Sequence, residues 1–174
     1  VESEPLSDLT PMEPSWNIAP QTLIPVVTET GVYGEKNVSR HVRLMRWGFR
    51  PSWSKASNRE PINARSETMH QKPMFRKAAQ SRRGVVPADG WYEWMTTPRG
   101  KVPFYHHPTD NSVLLLAGIY EQWSNGENQM QTFGLLTQEA TPNVAHVHNR
   151  MPVLLKSFEA KHWIQEGKVS IDTT

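Results

Sequence analysis

The sequence contains no cysteine among its 174 residues, which excludes a disulfide framework without identifying a compartment. No apolar run approaches the roughly 20 residues of a membrane-spanning helix, and the longest, residues 113–118, fits a buried strand. Internal repeats, a Gly-x-Ser-x-Gly elbow, a metal-binding box and a signal-peptide pattern are also missing. The length and these absences predict one domain in a reducing, cytosolic setting, without a nucleophile of the usual kinds.

Basic residues are concentrated in one part of the chain, although the net charge is only +2. Residues 40–83 hold most of the arginines and lysines but only two acidic residues, Glu60 and Glu67. Cations that meet phosphates and flat rings that meet bases are the ingredients of single-strand nucleic-acid binding. A solvated face with a few core aromatic residues is the alternative, and the sequence weighs the two about equally. The interleaved aromatic residues are Trp47, Phe49, Trp53 and Phe75.

Short strands dominate the sequence pattern. Pro25 indicates that the first strand lies at a sheet edge or bulge, and Asn125-Gly126 predicts a hairpin turn between the last two. Residues 1–15 are acidic, rich in proline and serine, and typical of a loop. Strands are predicted at residues 23–28, 42–47, 84–87, 91–95, 102–106, 113–123 and 130–137.

Helical patterns are few. A weak one covers residues 67–80 and is interrupted at Pro73, and a closing helix is capped by Ser157 and ends near Gln165, before Gly167. So few helices argue against a parallel βαβ order. The expected fold is a strand-rich α+β single domain, with a partly closed β-barrel-like core and a few peripheral helices.

Glu93 is the first candidate for chemistry because it lies among aromatic residues in the segment Pro87-Ala-Asp-Gly-Trp-Tyr-Glu-Trp. An apolar wall raises a carboxyl pKa toward the range that general acid–base catalysis uses. If Glu93 faces the interior, it needs a partner or a role. An exposed glutamate at a sheet edge is an equally weighted alternative.

Two further segments offer polar side chains with more than one interpretation. His146 and His148 would share one face of a strand, a spacing that suits a metal, but no third ligand is visible nearby. His148 fits proton transfer better, whereas the pair His106-His107 is expected to be solvated. Asn63 either caps its own loop or, on an extended segment with Arg65, presents an amide and a guanidinium to a substrate.

The ordered set of motifs resembles the SOS-response-associated peptidase (SRAP) family over roughly residues 16–165. None of the motifs is decisive alone, but their order makes chance an inadequate explanation. The motifs are Asn17-Ile-Ala-Pro, Arg46-Trp-Gly-Phe, Pro51-Ser-Trp, Ile62-Asn-Ala-Arg-Ser-Glu-Thr, Phe75-Arg, Pro87-Ala-Asp-Gly-Trp-Tyr-Glu-Trp, Pro103-Phe-Tyr, Ala117-Gly-Ile-Tyr and His148-Asn-Arg-Met-Pro.

The resemblance implies an abasic-site sensor that binds single-stranded DNA and forms a covalent thiazolidine crosslink through an N-terminal cysteine. That cysteine is exposed by autoproteolytic removal of the initiator Met, which implies peptidase and lyase-like activities. The implied catalytic residues are Asn63, which positions the terminus, Glu93 as acid and base, and His148 as a proton donor or acceptor. The implied DNA-binding residues are Arg46, Arg65, Arg76, Arg150, Trp47 and Trp94.

No metal and no cofactor are implied, and the expected partner is single-stranded DNA with abasic sites, not a membrane. We expect a monomer that is cytoplasmic, and nucleoid-associated if bacterial. The family pattern begins Cys-Gly-Arg, whereas this sequence begins at Val1. We therefore expect residues 1–174 to form one SRAP-like domain without its native cysteine segment and C-terminal end. A non-catalytic single-strand DNA-binding module and a Glu/His hydrolase of another substrate are the alternatives.

Overall fold

The computed structural model describes residues 13–31, 38–55, 60–126 and 128–165. Nine strands and two helices lie within these ranges. In chain order they are β1 (Leu23–Thr30), β2 (Ser39–Trp47), β3 (Asn63–Arg65), α1 (Pro73–Ser81), β4 (Arg83–Ala88), β5 (Trp91–Thr97), β6 (Gly100–His106), β7 (Leu114–Ser124), β8 (Gln129–Glu139), β9 (Arg150–Pro152) and α2 (Ser157–Ile164).

Five strands close into a barrel in the order β2-β1-β4-β7-β8. Four of the five junctions are antiparallel. The fifth is parallel and joins β8 back to β2 through Arg46↔Thr132 and Trp47↔Phe133. A closed barrel leaves no strand edge along these five strands. The prediction of a strand-rich α+β fold with a barrel-like core is therefore confirmed.

Phe133 fills the barrel because Gly118 leaves room for its ring. A Cβ atom at Gly118 would lie 2.0 Å from Phe133 Cζ. Gly84 in turn leaves room for Val26, since a Cβ atom there would lie 2.5 Å from Val26 Cγ1. Phe133 is fully buried and belongs to one apolar cluster with Val26 and Met45. A second cluster packs α1 against the outside of the barrel. The strands therefore contribute apolar side chains to packing on both the inside and the outside of the barrel.

The carboxyl half of β8 has two additional neighbours that the sequence did not predict. β3 pairs with it in parallel through Arg65↔Thr137, and β9 pairs with it antiparallel through Thr137↔Pro152 and Glu139↔Arg150. Segments that are about 85 residues apart in the sequence thus flank one strand. This arrangement positions the candidate site.

Several local predictions need correction. Pro25 lies in a strand with neighbours on both sides, not at an edge, although the ladder to β4 is a single pair at Val27. His146 lies in a turn and His148 in the loop before β9, so neither lies in a strand. Residues 66–72 form turns, and Pro73 begins α1 where its missing N–H costs nothing.

The closing helix also differs from its prediction in detail. Ser157 is its first residue, and the carboxylate of Glu159 accepts a hydrogen bond from the backbone N–H of Lys156 (2.7 Å). A carboxylate in the first turn also complements the helix dipole. Gly167 and residues 1–12 lie outside the described residues, so the predicted stop and most of the predicted N-terminal loop stay untested.

Candidate functional site

A cleft of about 490 Å³ lies where the hairpin β5–β6 meets the end of β8. Seven of the nine residues that the sequence predicts for the site line it: Trp47, Asn63, Arg65, Glu93, Trp94, His148 and Arg150. They come from β2, β3, β5, β9 and the loop before β9. The remaining lining residues are Ile62, Ala64, Trp91, Tyr92, Leu135, Thr137, Met151 and Pro152.

The hairpin β5–β6, which we call the arm, is a separate two-stranded sheet. At the base of the arm the chain passes close to the end of β6 at Gly90, where a Cβ atom would lie 2.4 Å from the carbonyl oxygen of His106. Trp91 stacks on His106, with ring centroids 4.8 Å apart. Burial lowers the pKa of His106, while the Glu93 carboxylate acts in the opposite direction. His106 is half-buried and His107 is exposed, so the prediction that both are solvated is wrong for His106 and confirmed for His107.

Glu93 and His148 face each other across the cleft. Glu93 Oε2 lies 3.8 Å from His148 Nδ1, and Glu93 Oε1 accepts a hydrogen bond from the backbone N–H of Trp94 (3.1 Å). A separation of 3.8 Å exceeds direct hydrogen-bond length, so a proton transfer between the two groups would need a bridging water or a small approach. The Glu93 side chain is 25% exposed and that of His148 is 44% exposed. Both groups are within reach of a ligand.

The backbone next to His148 fixes the orientation of its ring. The backbone N–H of Arg150 lies 3.1 Å from Nδ1, and the carbonyl oxygen of Arg150 lies 3.3 Å from the same atom. An unprotonated Nδ1 accepts from that N–H and a protonated Nδ1 donates to that carbonyl oxygen, so either tautomer keeps Nδ1 directed at Arg150.

Asn63 and Arg65 lie two residues apart on β3, so their side chains share one face while Ala64 is buried on the other. Both side chains are exposed, and neither makes a hydrogen bond or ion pair with any residue in the described ranges. The extended alternative for this segment is therefore the one observed. An amide and a guanidinium are both available to a ligand in the cleft.

Arg150 is engaged in an ion pair within the protein. Its Nη1 and Nη2 atoms donate to the two carboxylate oxygens of Glu67 at 2.6 and 2.8 Å. Nη2 also donates to the carbonyl oxygen of Thr137 at 2.7 Å. Hydrogen bonding from Arg150 holds the pKa of Glu67 at about 2, well below its usual 4.5. The guanidinium of Arg150 thus joins β9, β8 and the turn before α1.

The other predicted DNA-binding residues differ in their positions. Trp47 is half-buried and donates from Nε1 to the carbonyl oxygen of Ile62 (3.0 Å), so its ring forms the cleft floor. Trp94 is 47% exposed at the rim. Arg46 lies outside the cleft in an ion pair with Glu60, and Arg76 is exposed on α1, also outside it.

Sequence reasoning missed Glu67, Thr137, Trp91 and Tyr92 as parts of the site. Glu67 was visible as the acid that follows Asn63-Ala-Arg-Ser, and Trp91 and Tyr92 were visible beside Glu93. Thr137 gave no signal, because only the pairing of β8 with both β3 and β9 gives it a role. Across the described ranges, no three acidic or histidine side chains cluster as metal ligands. No helix there is long and apolar enough to cross a membrane.

Comparisons with known proteins agree on one family. The model of the SOS response associated peptidase (SRAP) family matches residues 3–173. The abasic site processing protein YoqW of Bacillus subtilis is 34% identical over 164 residues, covering 91% of this chain and 70% of that protein. The abasic site processing protein HMCES of Gallus gallus is 31% identical over 185 residues, covering 90% of this chain and 55% of that protein.

A solved structure from Bordetella bronchiseptica superposes with a TM-score of 0.75 at 26% identity, covering 88% of this chain and 78% of that one. A phage-related protein of the same organism superposes with a TM-score of 0.69 at 29% identity, covering 90% and 71%. The fold comparison and the sequence comparison therefore agree with the family resemblance that the motifs carry. Because the family model matches almost the whole sequence, the chain belongs to the SRAP family.

Proposed function

We propose that this protein processes abasic sites in DNA, and that it captures the open-chain sugar aldehyde as a covalent crosslink. The observation that carries the proposal is the cleft that holds the Glu93–His148 pair, separated by 3.8 Å, beside the unpaired side chains of Asn63 and Arg65. The names of the relatives, which are abasic site processing proteins, support the same substrate.

The proposed chemistry needs a nucleophile that the 174 residues do not contain, since they include no cysteine. We place it on an N-terminal cysteine of the full-length gene product. Its neutral α-amine adds to the aldehyde carbon, and the carbinolamine loses water to give an imine. The thiol then adds to the imine carbon and the nitrogen gains a proton, which closes a thiazolidine. Glu93 and His148 supply the proton for the departing water and remove protons from the amine and thiol.

The same groups would free the N-terminal cysteine. Hydrolysis of the bond between an initiator Met and the cysteine consumes one water, and a carboxylate such as Glu93 serves as its general base. Asn63 would hold the new terminus through its amide. These are the roles that the family resemblance implies for Asn63, Glu93 and His148, and the shared position of the three residues in the cleft supports them.

The proposed partner is single-stranded DNA rather than duplex DNA. An abasic nucleotide has no base to unstack, so a small cleft can close around its sugar. Arg65 would contact a phosphate, while Trp47 and Trp94 would border the path of the strand. The DNA-binding roles that the sequence predicts for Arg46 and Arg76 stay predictions, as do the monomeric state and the cytoplasmic or nucleoid setting. The phosphate role predicted for Arg150 is also untested, and its ion pair with Glu67 argues against it.

A denaturing gel tests the crosslink. The full-length protein is incubated with single-stranded DNA that carries one abasic site, and we expect a heat-stable protein–DNA band. Glu93→Gln and Asn63→Ala should reduce the band, whereas Asp110→Asn, which changes an exposed carboxylate outside the cleft, should not. A missing band, or a band unaffected by Glu93→Gln and Asn63→Ala, would contradict the proposal.

Noncovalent binding separates the proposal from a plain single-strand DNA-binding module. The 174-residue chain should prefer a strand with a tetrahydrofuran abasic analogue over an intact strand of the same length. A plain module binds both equally, with a log–log salt slope of about −0.7 per phosphate neutralised. Equal binding would therefore refute abasic-site recognition by this cleft.

A further inference from the structure

One face of the arm, which we call the outer face, exposes a row of rings. Side chains alternate along each strand, and the cross-strand pairs Tyr92↔Tyr105 and Trp94↔Pro103 place these residues on the same side. Trp94, Tyr92 and Tyr105 are 47%, 42% and 46% exposed. Glu93 and Trp91 lie on the opposite, half-buried side. Adjacent exposed aromatic residues of this kind mark interaction surfaces.

The rings of the outer face are ordered within the protein. The ring centroids of Tyr92 and Tyr105 are 5.0 Å apart. Those of Tyr105 and His107 are 5.3 Å apart, at an interplanar angle of 20°. The Tyr105 ring packs directly against Gly90, since a Cβ atom at Gly90 would lie 2.6 Å from ring carbons. A ligand that stacks on this row does not have to order it first, which lowers the entropic cost of binding.

The charge and position of the outer face indicate which class of ligand it binds. Trp94 and Tyr92 also line the cleft, so the row continues directly from the candidate site. Lys101 lies on the same face through the pair Thr96↔Lys101, and Arg99 is exposed at the tip. The strands β5 and β6 carry no carboxylate on this face. Flat rings combined with cations bind the bases and phosphates of an unpaired strand.

We infer that the outer face of the arm stacks unpaired bases of the DNA strand on one side of the abasic nucleotide. This inference rests on the proposed function, because it takes the strand in the cleft as its starting point. Base stacking on aromatic rings is indifferent to sequence, since every base has a flat face. The row would therefore hold the strand in register without selecting a sequence.

Fluorescence of 2-aminopurine tests the stacking directly. The base is placed at successive positions on either side of a tetrahydrofuran site in single-stranded DNA, and the 174-residue chain is added. Quenching is expected at adjacent positions on one side only. Tyr105→Ala and His107→Ala should relieve the quenching and weaken binding about tenfold. His107 follows β6 and pairs with no strand, so its replacement leaves the arm intact.

Tyr105→Phe keeps the ring and should behave as the unchanged protein does. Phe158→Ala is the matched control, because it removes an exposed aromatic side chain on α2, away from the arm. Quenching that is absent, or that persists in both alanine variants of the row, would overturn the inference. If the preference for the abasic strand persists in that case, only the stacking row fails. If the preference is absent while quenching responds to the variants, only the proposed function fails.

Discussion

The family resemblance predicts both Arg65 and Arg150 as phosphate ligands, but their surroundings in the structure differ. Arg65 lines the cleft and has no partner within the described residues. Arg150 makes a bidentate ion pair with Glu67. We predict that Arg65→Gln weakens binding of single-stranded DNA while leaving the fold stable, and that Arg150→Gln lowers the stability of the fold without removing a phosphate contact.

The expected loss of DNA affinity in Arg65→Gln follows from the loss of a single charge-assisted hydrogen bond to a phosphate. Such bonds contribute about 1.5–3 kcal/mol, and the exposure of Arg65 puts it at the low end. We therefore expect the dissociation constant to rise roughly tenfold and the log–log salt slope to become shallower by about 0.7. The free energy of unfolding should change by less than about 0.5 kcal/mol, as for other exposed substitutions.

The expected loss of stability in Arg150→Gln follows from the depressed pKa of Glu67. The difference between about 2 and the usual 4.5 corresponds to about 3 kcal/mol if solvent did not screen the pair. The Glu67 side chain is 47% exposed, so screening reduces this figure to about 1 kcal/mol. Arg150→Gln should lower the free energy of unfolding by about that amount.

Fluorescence anisotropy over a range of salt concentrations measures the slopes, and urea denaturation measures the stabilities. The double variant Glu67→Gln/Arg150→Gln keeps the net charge of the cleft and is the matched control for the loss of one cation. If Arg150→Gln and the double variant changed the salt slope as much as Arg65→Gln does, Arg150 would contact a phosphate in the complex. That result would refute the reasoning from its ion pair.

Three further predictions concern stability. Because the folded-state pKa of Glu67 is depressed, its ion pair stabilises the fold above pH 4.5 and is lost as the pH falls toward 2. The stability difference between wild type and Glu67→Gln should therefore vanish over that interval in urea melts at a series of pH values; a constant difference would contradict it. Arg83 is 3% exposed and donates hydrogen bonds to backbone carbonyls at the ends of α1 and α2, so Arg83→Leu should lower the free energy of unfolding by about 3 kcal/mol. A loss below about 1 kcal/mol would show that water replaces these bonds. Gly118→Ala should cost about 1–3 kcal/mol because its Cβ would overlap the Phe133 ring, and Phe133→Leu in the same chain should recover part of that loss in a double-mutant cycle.

Local pattern was sufficient for most of the elements. Alternating and continuous apolar runs identified all the barrel strands and both strands of the arm, because these signals lie within a few consecutive residues. The short strands β3 and β9 were missed. Each has three residues, too few for a period to show, and each is defined by its pairing with the end of β8. There β3 lies beyond the residues through which β8 pairs with β2 in the barrel, and β9 lies beyond those through which β8 pairs with β7.

The sequence by itself determined the family resemblance and seven of the fifteen residues that line the cleft. Tertiary structure decided what those side chains do there. Arg150 and Glu67 are 83 residues apart, and only the pairing of β3 and β9 on β8 brings them together, so one predicted phosphate ligand is occupied while Arg65 is not. Glu93 on the arm and His148 in the loop before β9 are likewise brought together only in the folded chain. The physical reason is that the partner of a charged group is set by distance in space, and the closure of the barrel sets those distances.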